Sequence, residues 1–398
     1  MRILFIEWQC FGALHVVKAL EDLGHEVERV EFDIKTDRDN KVYLEQAIKV
    51  LSYNYFDRVL SYNFMGSIAE ACHANGVIYM AWLYDSPLFQ VWNTTAYYPE
   101  CYIFSFDQNL CDSLRKEGIR KVFYMPLAAE AEYLEAIPET KEQIERFTSD
   151  VSFVGKLYDK KADLQRDLYK NSPAYLQGFS DAVARAQAQI QGINILEEVL
   201  EPEDISRSID QGLVLNRDDG TIAHKNRLYS DYYLAPKVTS LVRHNMIKRI
   251  SERFQLKIYT PGSTKRYKKA INQGTVHYYY EMPIVFRHSK INLNITLCSI
   301  RTGIPLRCWD IMASGGFLLT NYQEDMLKHF EPGVDFDYFL NEESMIEKIQ
   351  YYLEHEEERK QIARNGYEKV KAFHGYKKRL AEMLSIVEGD IHNEGTSM

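Results

Sequence analysis

The first 126 residues alternate strand-like and helix-like segments with short connections, and few folds accept that order. "RILFI" at 2–6 reads as a buried strand, and "LHVVKALEDLGHEV" places apolar residues at helical spacing until Gly24. "EVERVEFD" is the next strand. The pattern continues with a helix around Tyr43 to Leu51, strand "DRVLSYN", helix "SIAEACHANG" and strands "VIYMAWLYD" and "CYIFSF". Helix "QNLCDSLRKEG" and strand "KVFYMP" close it. Such alternation builds a parallel sheet covered by helices, an open doubly wound α/β domain that binds ligands beyond the carboxyl ends of its strands. "AWLYDSPL" lies at such an end.

The remaining sequence predicts a second domain of the same kind, since 398 residues are too many for one comfortable core. Residues 128–149, charged and turn-rich, read as a linker between a domain at 1–127 and one at 150–375. "VSFVGKLYDKKADL" restarts the alternation. A helical insertion is expected over about 163–254, after which strands resume at "LKIYT", "TVHYYY", "INLNIT" and "GGFLLTN". The charged helical C-terminus is expected to break at Asn365-Gly366, and 391–398 to fray.

Composition removes several functions. A formal charge of −9 argues against broad nucleic-acid binding, which needs a basic surface. The six cysteines form no CxxC pair, which suits neither a zinc site nor a disulfide framework. No run approaches the ~20 apolar residues of a membrane span, and the N-terminus lacks the pattern of a signal peptide. A cytoplasmic location is therefore expected.

"TGIPLRCWDIMASGGFLLTN", Thr302 to Asn321, carries the clearest chemistry. A polar loop containing Arg301 leads to Gly303 and Pro305, and Pro305 suits the first position of a helix. Free amides at a helix start favour an anion. Arg307 and Asp310, three residues apart, share a helix face. A guanidinium fork can hold a phosphate, and a carboxylate can accept both hydroxyls of a ribose. The alternative is an intrahelical ion pair, worth only ~0.2–0.5 kcal/mol. After "VSFVG", Lys156, Lys160 and Lys161 sit near the start of a helix, where an anionic ligand or plain solvation would account for them.

At these residues the sequence resembles a known family. "YYYEMPIVFRHSKINLN", "IPLRCWDIMASGGFLLTNY" and "YYLEHEEERKQIARNGYEKV", between about Val276 and Arg379, look like the C-terminal domain of CgeB-like bacterial glycosyltransferases, first named for spore maturation. The likeness implies the GT-B fold: two Rossmann-like domains facing a cleft, the second holding a sugar nucleotide, and a last helix, 376–390, crossing back to the first. In related retaining enzymes a glutamate opening an "EAMA"-like helix binds the donor ribose, and "DIMA" puts Asp310 there. A second acidic residue normally stands eight positions earlier, where this chain has Thr302. The relatives' basic residue after a strand glycine, and a lysine five residues later, correspond to Lys156 and Lys161 after Gly155. Gly315-Gly316 resembles the family's turn into the next strand, although Gly315 also reads as an ordinary helix stop.

The implied reaction moves a sugar from a nucleotide diphosphate, UDP- or GDP-linked, to a glycan or protein acceptor, without a metal or resident cofactor. An inverting transfer needs a base. Asp85 in "WLYDSP" is the first choice, against a turn-forming Asx role; Glu7 and His15 follow. Glu281, in "HYYYEMP", is a further contact for base or sugar. Two other expectations stand beside the enzyme: a non-catalytic nucleotide-sugar-binding assembly protein on the same fold, and a nucleotide-sugar epimerase.

Overall fold

The computed structural model describes residues 1–8, 10–31, 40–158, 172–190, 192–212, 220–267 and 269–396. The chain divides into two compact units, each with its own parallel sheet.

In the first unit the strands are β1 (Arg2–Glu7), β2 (Glu26–Glu31), β3 (Arg58–Tyr62), β4 (Ile78–Trp82), β5 (Cys101–Ser105) and β6 (Val122–Tyr124). They pair in the order β2-β1-β3-β4-β5-β6, all parallel. The central strands are buried along nearly their whole length, as a sheet covered on both faces requires. That burial is why they read as unbroken apolar runs. The helix Ala13–Asp22 buries Ala13, Val16, Ala19 and Leu20, one stripe at helical spacing.

Two later pieces of chain complete this unit. Residues 220–223, expected within the second domain's insertion, lie here: Thr94 N–H donates to the Gly220 carbonyl at 2.8 Å and Ile222 N–H to that of Trp92 at 2.9 Å. The final helix, Tyr376–Thr396, packs along the helix Ala13–Asp22. Contrary to the expected fraying from 391, it continues to Thr396. Its far half is pinned by Glu388 on Arg58 at 2.6 Å and by Asp390, which accepts from Tyr102 at 2.8 Å and pairs with Lys121 at 3.2 Å. Charged anchors did this work, so no apolar pattern announced it.

The second unit holds β7 (Ser149–Val154), β8 (Leu256–Tyr259), β9 (Ala270–Asn272), β10 (Ser289–Asn294), β11 (Leu318–Asn321) and β12 (Asp337–Phe339). Their order is β12-β11-β10-β7-β8-β9, again all parallel. "TVHYYY" is not a strand. The edge position beside β8 is taken by Ala270–Asn272, and the tyrosines form a turn before the helix Met282–His288. From Glu130 on, the segment expected as linker belongs to this unit, as the helices Ala131–Glu135 and Lys141–Phe147. Leu134 and Phe147 are buried, and Glu139 pairs with Arg287 at 2.8 Å and His288 at 3.0 Å.

The insertion is helical where described: Ala174–Gln187, Glu203–Gly212, Lys225–Tyr229, a π turn at Ser230–Leu234 and Ala235–Arg253. It has a small core of its own around Leu176, Leu200, Tyr229 and Leu234. Its expected start at 163–171 lies outside the described residues.

Two glycines serve close approach. The helix Glu356–Phe373 runs straight through Asn365-Gly366 without the expected break, because Gly366 lets it press on the Asp335 carbonyl. At Gly316 a methyl group would stand 2.6 Å from Asn292 Nδ2 and 2.7 Å from the Phe286 carbonyl oxygen. Gly316→Ala is therefore expected to destabilise the fold by about 1–3 kcal/mol, the range for an overfilled core. A lower urea midpoint with an unchanged slope is the measurement that checks it.

Candidate functional site

In an open parallel sheet, a crevice forms where the chain leaves one strand for one side and its neighbour's connection for the other. In the second unit the chain runs from β7 to β8 and β9, then returns across the sheet to β10. The crevice lies at the carboxyl ends of β7 and β10. The loops leaving it are Gly155–Tyr158 and 295–305, which hold the sequence motifs.

Gly155 donates its N–H to the Tyr259 carbonyl at 3.1 Å, which fixes the turn out of β7. Lys156 follows with an exposed side chain. Its carbonyl accepts from Arg243, a buried arginine of the helix Ala235–Arg253. The same guanidinium donates to the Ile295 carbonyl through Nε at 3.0 Å and through Nη2. One side chain thus joins the exits of both strands. Lys160 and Lys161 lie outside the described residues.

The loop after β10 is fastened at several points. Cys298 N–H donates to Thr239 Oγ1 at 2.9 Å. Arg301 meets Glu197 at 2.8 Å and Asp231 at 3.8 Å, so its guanidinium is held by the helical insertion. Thr302 Oγ1 donates to Asp325 at 3.1 Å, and the Gly303 carbonyl accepts from Gln323 at 2.9 Å. Pro305 is the cap and Leu306 the first helical residue, one position later than Pro305 itself suggests. No side chain caps this end, so its amides keep their preference for an anion.

On the helix Leu306–Ala313, Arg307 and Asp310 face the same way but do not close a tight pair. Their nearest atoms are 3.9 Å apart. Arg307 instead lies against the Met282 sulfur, its guanidinium 5.5 Å from the Phe286 ring centre, with about a quarter of the side chain exposed. Asp310 is only 3% exposed and accepts from the Tyr278 hydroxyl at 2.9 Å. Burial pushes its carboxyl up to about 6, against the opposing pull of Arg307 and of the Tyr278 hydrogen bond. The sequence missed Tyr278, because "HYYYEMP" read as a strand. Glu281 is turned elsewhere: it accepts the His277 N–H at 2.8 Å and pairs with Arg146 at 3.2 Å. Gly315, at φ +77°, and Gly316 carry the chain from this helix to β11.

In the first unit the corresponding crevice lies between β1 and β3. Glu7, at the end of β1, is 1% exposed, accepts from Arg29 Nε at 2.5 Å and faces the Cys10 thiol at 3.6 Å. Its charge is spent on Arg29. His15 is half-buried with its ring 5.4 Å from that of Tyr376, and burial lowers its pKa, which keeps it neutral at pH 7. Asp85 is exposed beyond β4. Asn63 holds it, donating to Asp85 Oδ2 at 2.8 Å while accepting the N–H groups of Tyr84 and Asp85 at 2.8 and 3.0 Å. Tyr84 lies 5.2 Å from Tyr62 and 6.4 Å from Trp8, so aromatic rings gather at these strand ends.

Among the described residues no group of three or more His, Cys, Asp or Glu side chains converges to hold a metal, and no helix is long and apolar enough to cross a membrane.

Residues 243–385 match a family model described as glycosyl transferase-like. No curated protein matches the chain by sequence. Among solved structures, a glycosyltransferase from Rickettsia africae matches with a TM-score of 0.54 at 11% identity, over 98% of this chain and 99% of that one. HepE of Anabaena, in complex with UDP-glucose, gives 0.54 at 9% over 98% and 100%. Sucrose-phosphate synthase from Thermosynechococcus elongatus gives 0.54 at 9% over 99% and 100%. At such identities the likeness is one of fold. The two parallel six-stranded sheets with their helices share the GT-B fold of these glycosyltransferase structures, and the match to the glycosyl transferase-like model is confined to residues 243–385.

Proposed function

We propose that the chain is a glycosyltransferase that moves a sugar from a nucleoside diphosphate, with UDP first among the carriers, to a glycan or protein hydroxyl. The observation that carries this reading is the buried, unpaired-by-lysine carboxylate of Asp310 one turn beyond Arg307, on a helix whose uncapped start faces the crevice loop. The carboxylate takes the ribose hydroxyls; Arg307, Lys156 and the helix amides take the diphosphate. The complexes of Anabaena HepE with UDP and with UDP-glucose support a uridine donor. The resemblance to CgeB-like proteins supports a bacterial cell-surface or spore acceptor.

In the reaction the bond between the anomeric carbon and the diphosphate oxygen breaks, and the acceptor oxygen bonds to that carbon. The nucleoside diphosphate leaves, its charge met by the chain's own cations rather than a metal. The acceptor proton goes to a base, a role this reading gives to Asp85. Asp85→Asn is expected to abolish transfer while UDP-sugar binding persists in calorimetry. Binding without any transfer or donor hydrolysis in the unmutated protein would instead mean a non-catalytic assembly protein. Interconversion of free sugar nucleotides without acceptor would mean an epimerase.

Arg307→Ala is expected to weaken UDP-sugar binding about ten- to a hundredfold, the value of a charge-assisted hydrogen bond or two. Unchanged affinity in calorimetry removes Arg307 from the site.

The raised carboxyl of Asp310 sets a pH dependence. Without ligand, its pKa lies above the unfolded value, so its contribution to stability is fullest at acid pH and is lost as pH rises through about 6. A ribose needs the ionised form. The thermal stabilisation given by UDP-glucose, whose diphosphate diester does not titrate there, should therefore grow between pH 5 and pH 7, in a window of about one unit either side of that pKa. In Asp310→Asn it should be small and flat.

A further inference from the structure

Among the described residues, Arg243 is a buried cation of the crevice that the proposed reaction leaves without a task. It stands in "KVTSLVRHNMIKRISERF", where Thr239, Met246, Ile247 and Ile250 form the buried face of the helix, and Arg243 interrupts that face. Its side chain is 9% exposed, between the rings of Phe153 and Tyr158, whose centres are 5.4 and 5.2 Å from the guanidinium carbon. Among the described residues its hydrogen-bond partners are backbone carbonyls alone, those of Lys156 and Ile295.

A buried charge is ordinarily met by an opposite one. Here the balance is poor. Burial pulls the guanidinium down to about 10, with Tyr158 opposing that shift and Arg307 adding to it. The carboxylate of the neighbourhood, Asp310, is itself held back by burial. A buried cation, Arg243, therefore stands near a partly exposed one, Arg307, at the exits of β7 and β10. A beta methyl on Gly155 would lie 3.8 Å from Arg243 Nη1, so the backbone of the loop runs directly over the guanidinium.

We infer that Arg243 is a positioning residue for the donor diphosphate: it ties the Gly155–Tyr158 loop to the end of β10 and sets beneath that loop a fixed positive charge that a phosphate group neutralises. The inference rests on the reading of the second unit as a nucleotide site. It explains why an arginine interrupts an apolar helix face with no carboxylate among its hydrogen-bond partners in the described residues. A lysine could reach one carbonyl but could not bridge two.

The test uses the whole chain and three probes, uridine, UMP and UDP, with the ratio of uridine to UDP dissociation constants as readout. Arg243→Gln keeps an amide donor and removes the charge; Arg243→Lys keeps the charge and removes the fork. Arg243→Gln is expected to lower the ratio about tenfold, as loss of a charge-assisted contribution would, with uridine affinity unchanged and UMP between. Arg243→Lys should hold the ratio within about threefold of the starting protein, since the point charge survives. If all three ligands weaken in parallel, or the ratio falls equally in both variants, the charge has no part and the inference is overturned. Arg243→Met replaces the glutamine variant should that one not fold. Failure of UDP to bind the unmutated protein would overturn the nucleotide reading itself, a result distinct from either.

Discussion

The carbonyl oxygens of Lys156 and Ile295 share one guanidinium, and much of the second unit is arranged around that bond. A parallel sheet ends in a row of carbonyls that the strands themselves cannot satisfy, and at the crossover between β7 and β10 the two departing loops diverge. Arg243 closes that gap from the helix of the insertion. The insertion is thereby tied to the crevice twice, since Glu197 and Asp231 also hold Arg301 in the loop after β10. Together these contacts fix the approach to the helix Leu306–Ala313, whose first amides, Arg307 and Asp310 then have a set direction.

What was legible in the sequence follows from burial. β1, β3, β4, β5, β7 and β10 are covered on both faces, so they appear as apolar runs, and the glycines and charges between them mark the turns. The edge strands of the second sheet were not legible. β9 is a three-residue, mostly exposed segment, and β12 contains Asp337, whose charge is met by Lys348 at 2.6 Å. The same holds for the end of the C-terminal helix: the residues after Asp390 look like fraying tail, and the anchors just before them, Glu388 on Arg58 and Asp390 on Lys121 and Tyr102, are distant in sequence. At the site, Arg307 and Asp310 could be paired by helical spacing alone. Tyr278 and Arg243 reach their partners across 32 and 52 or more residues, and no local pattern records that. The one visible trace of Arg243 was a charged residue on an apolar stripe.

The acids of the first unit divide by the same logic of partners. Glu7 is nearly fully buried, and such a carboxylate must be met by a cation; Arg29 supplies it, at the cost of its availability as a base. Asp85 has the opposite environment. It is exposed, and the neutral amide of Asn63 donates to its carboxylate and orients it. The amide oxygen of Asn63 at the same time binds the backbone of Tyr84 and Asp85, so the loop and its side chain are set by one residue. Of the three candidates, Asp85 is the exposed carboxylate, with its orientation set by the Asn63 amide.

Thr302 shows the same economy on the donor side. The retaining relatives that the sequence resembles carry an acid at this position, and a carboxylate does lie close by: Asp325, fully buried, accepts from Thr302 Oγ1 and donates its own N–H to the Thr302 carbonyl at 3.0 Å. Its charge is already met by Lys328 at 2.7 Å. Threonine has one hydroxyl hydrogen, and here it is donated to Asp325, which leaves oxygen lone pairs as the group's remaining chemistry. Lone pairs can accept from a sugar hydroxyl, but they bring no full negative charge to a carbon that becomes cationic as its bond to diphosphate breaks. In the proposed transfer, stabilisation of that step then falls to the leaving-group side, the role the proposal gives to Arg307, Lys156 and Arg243.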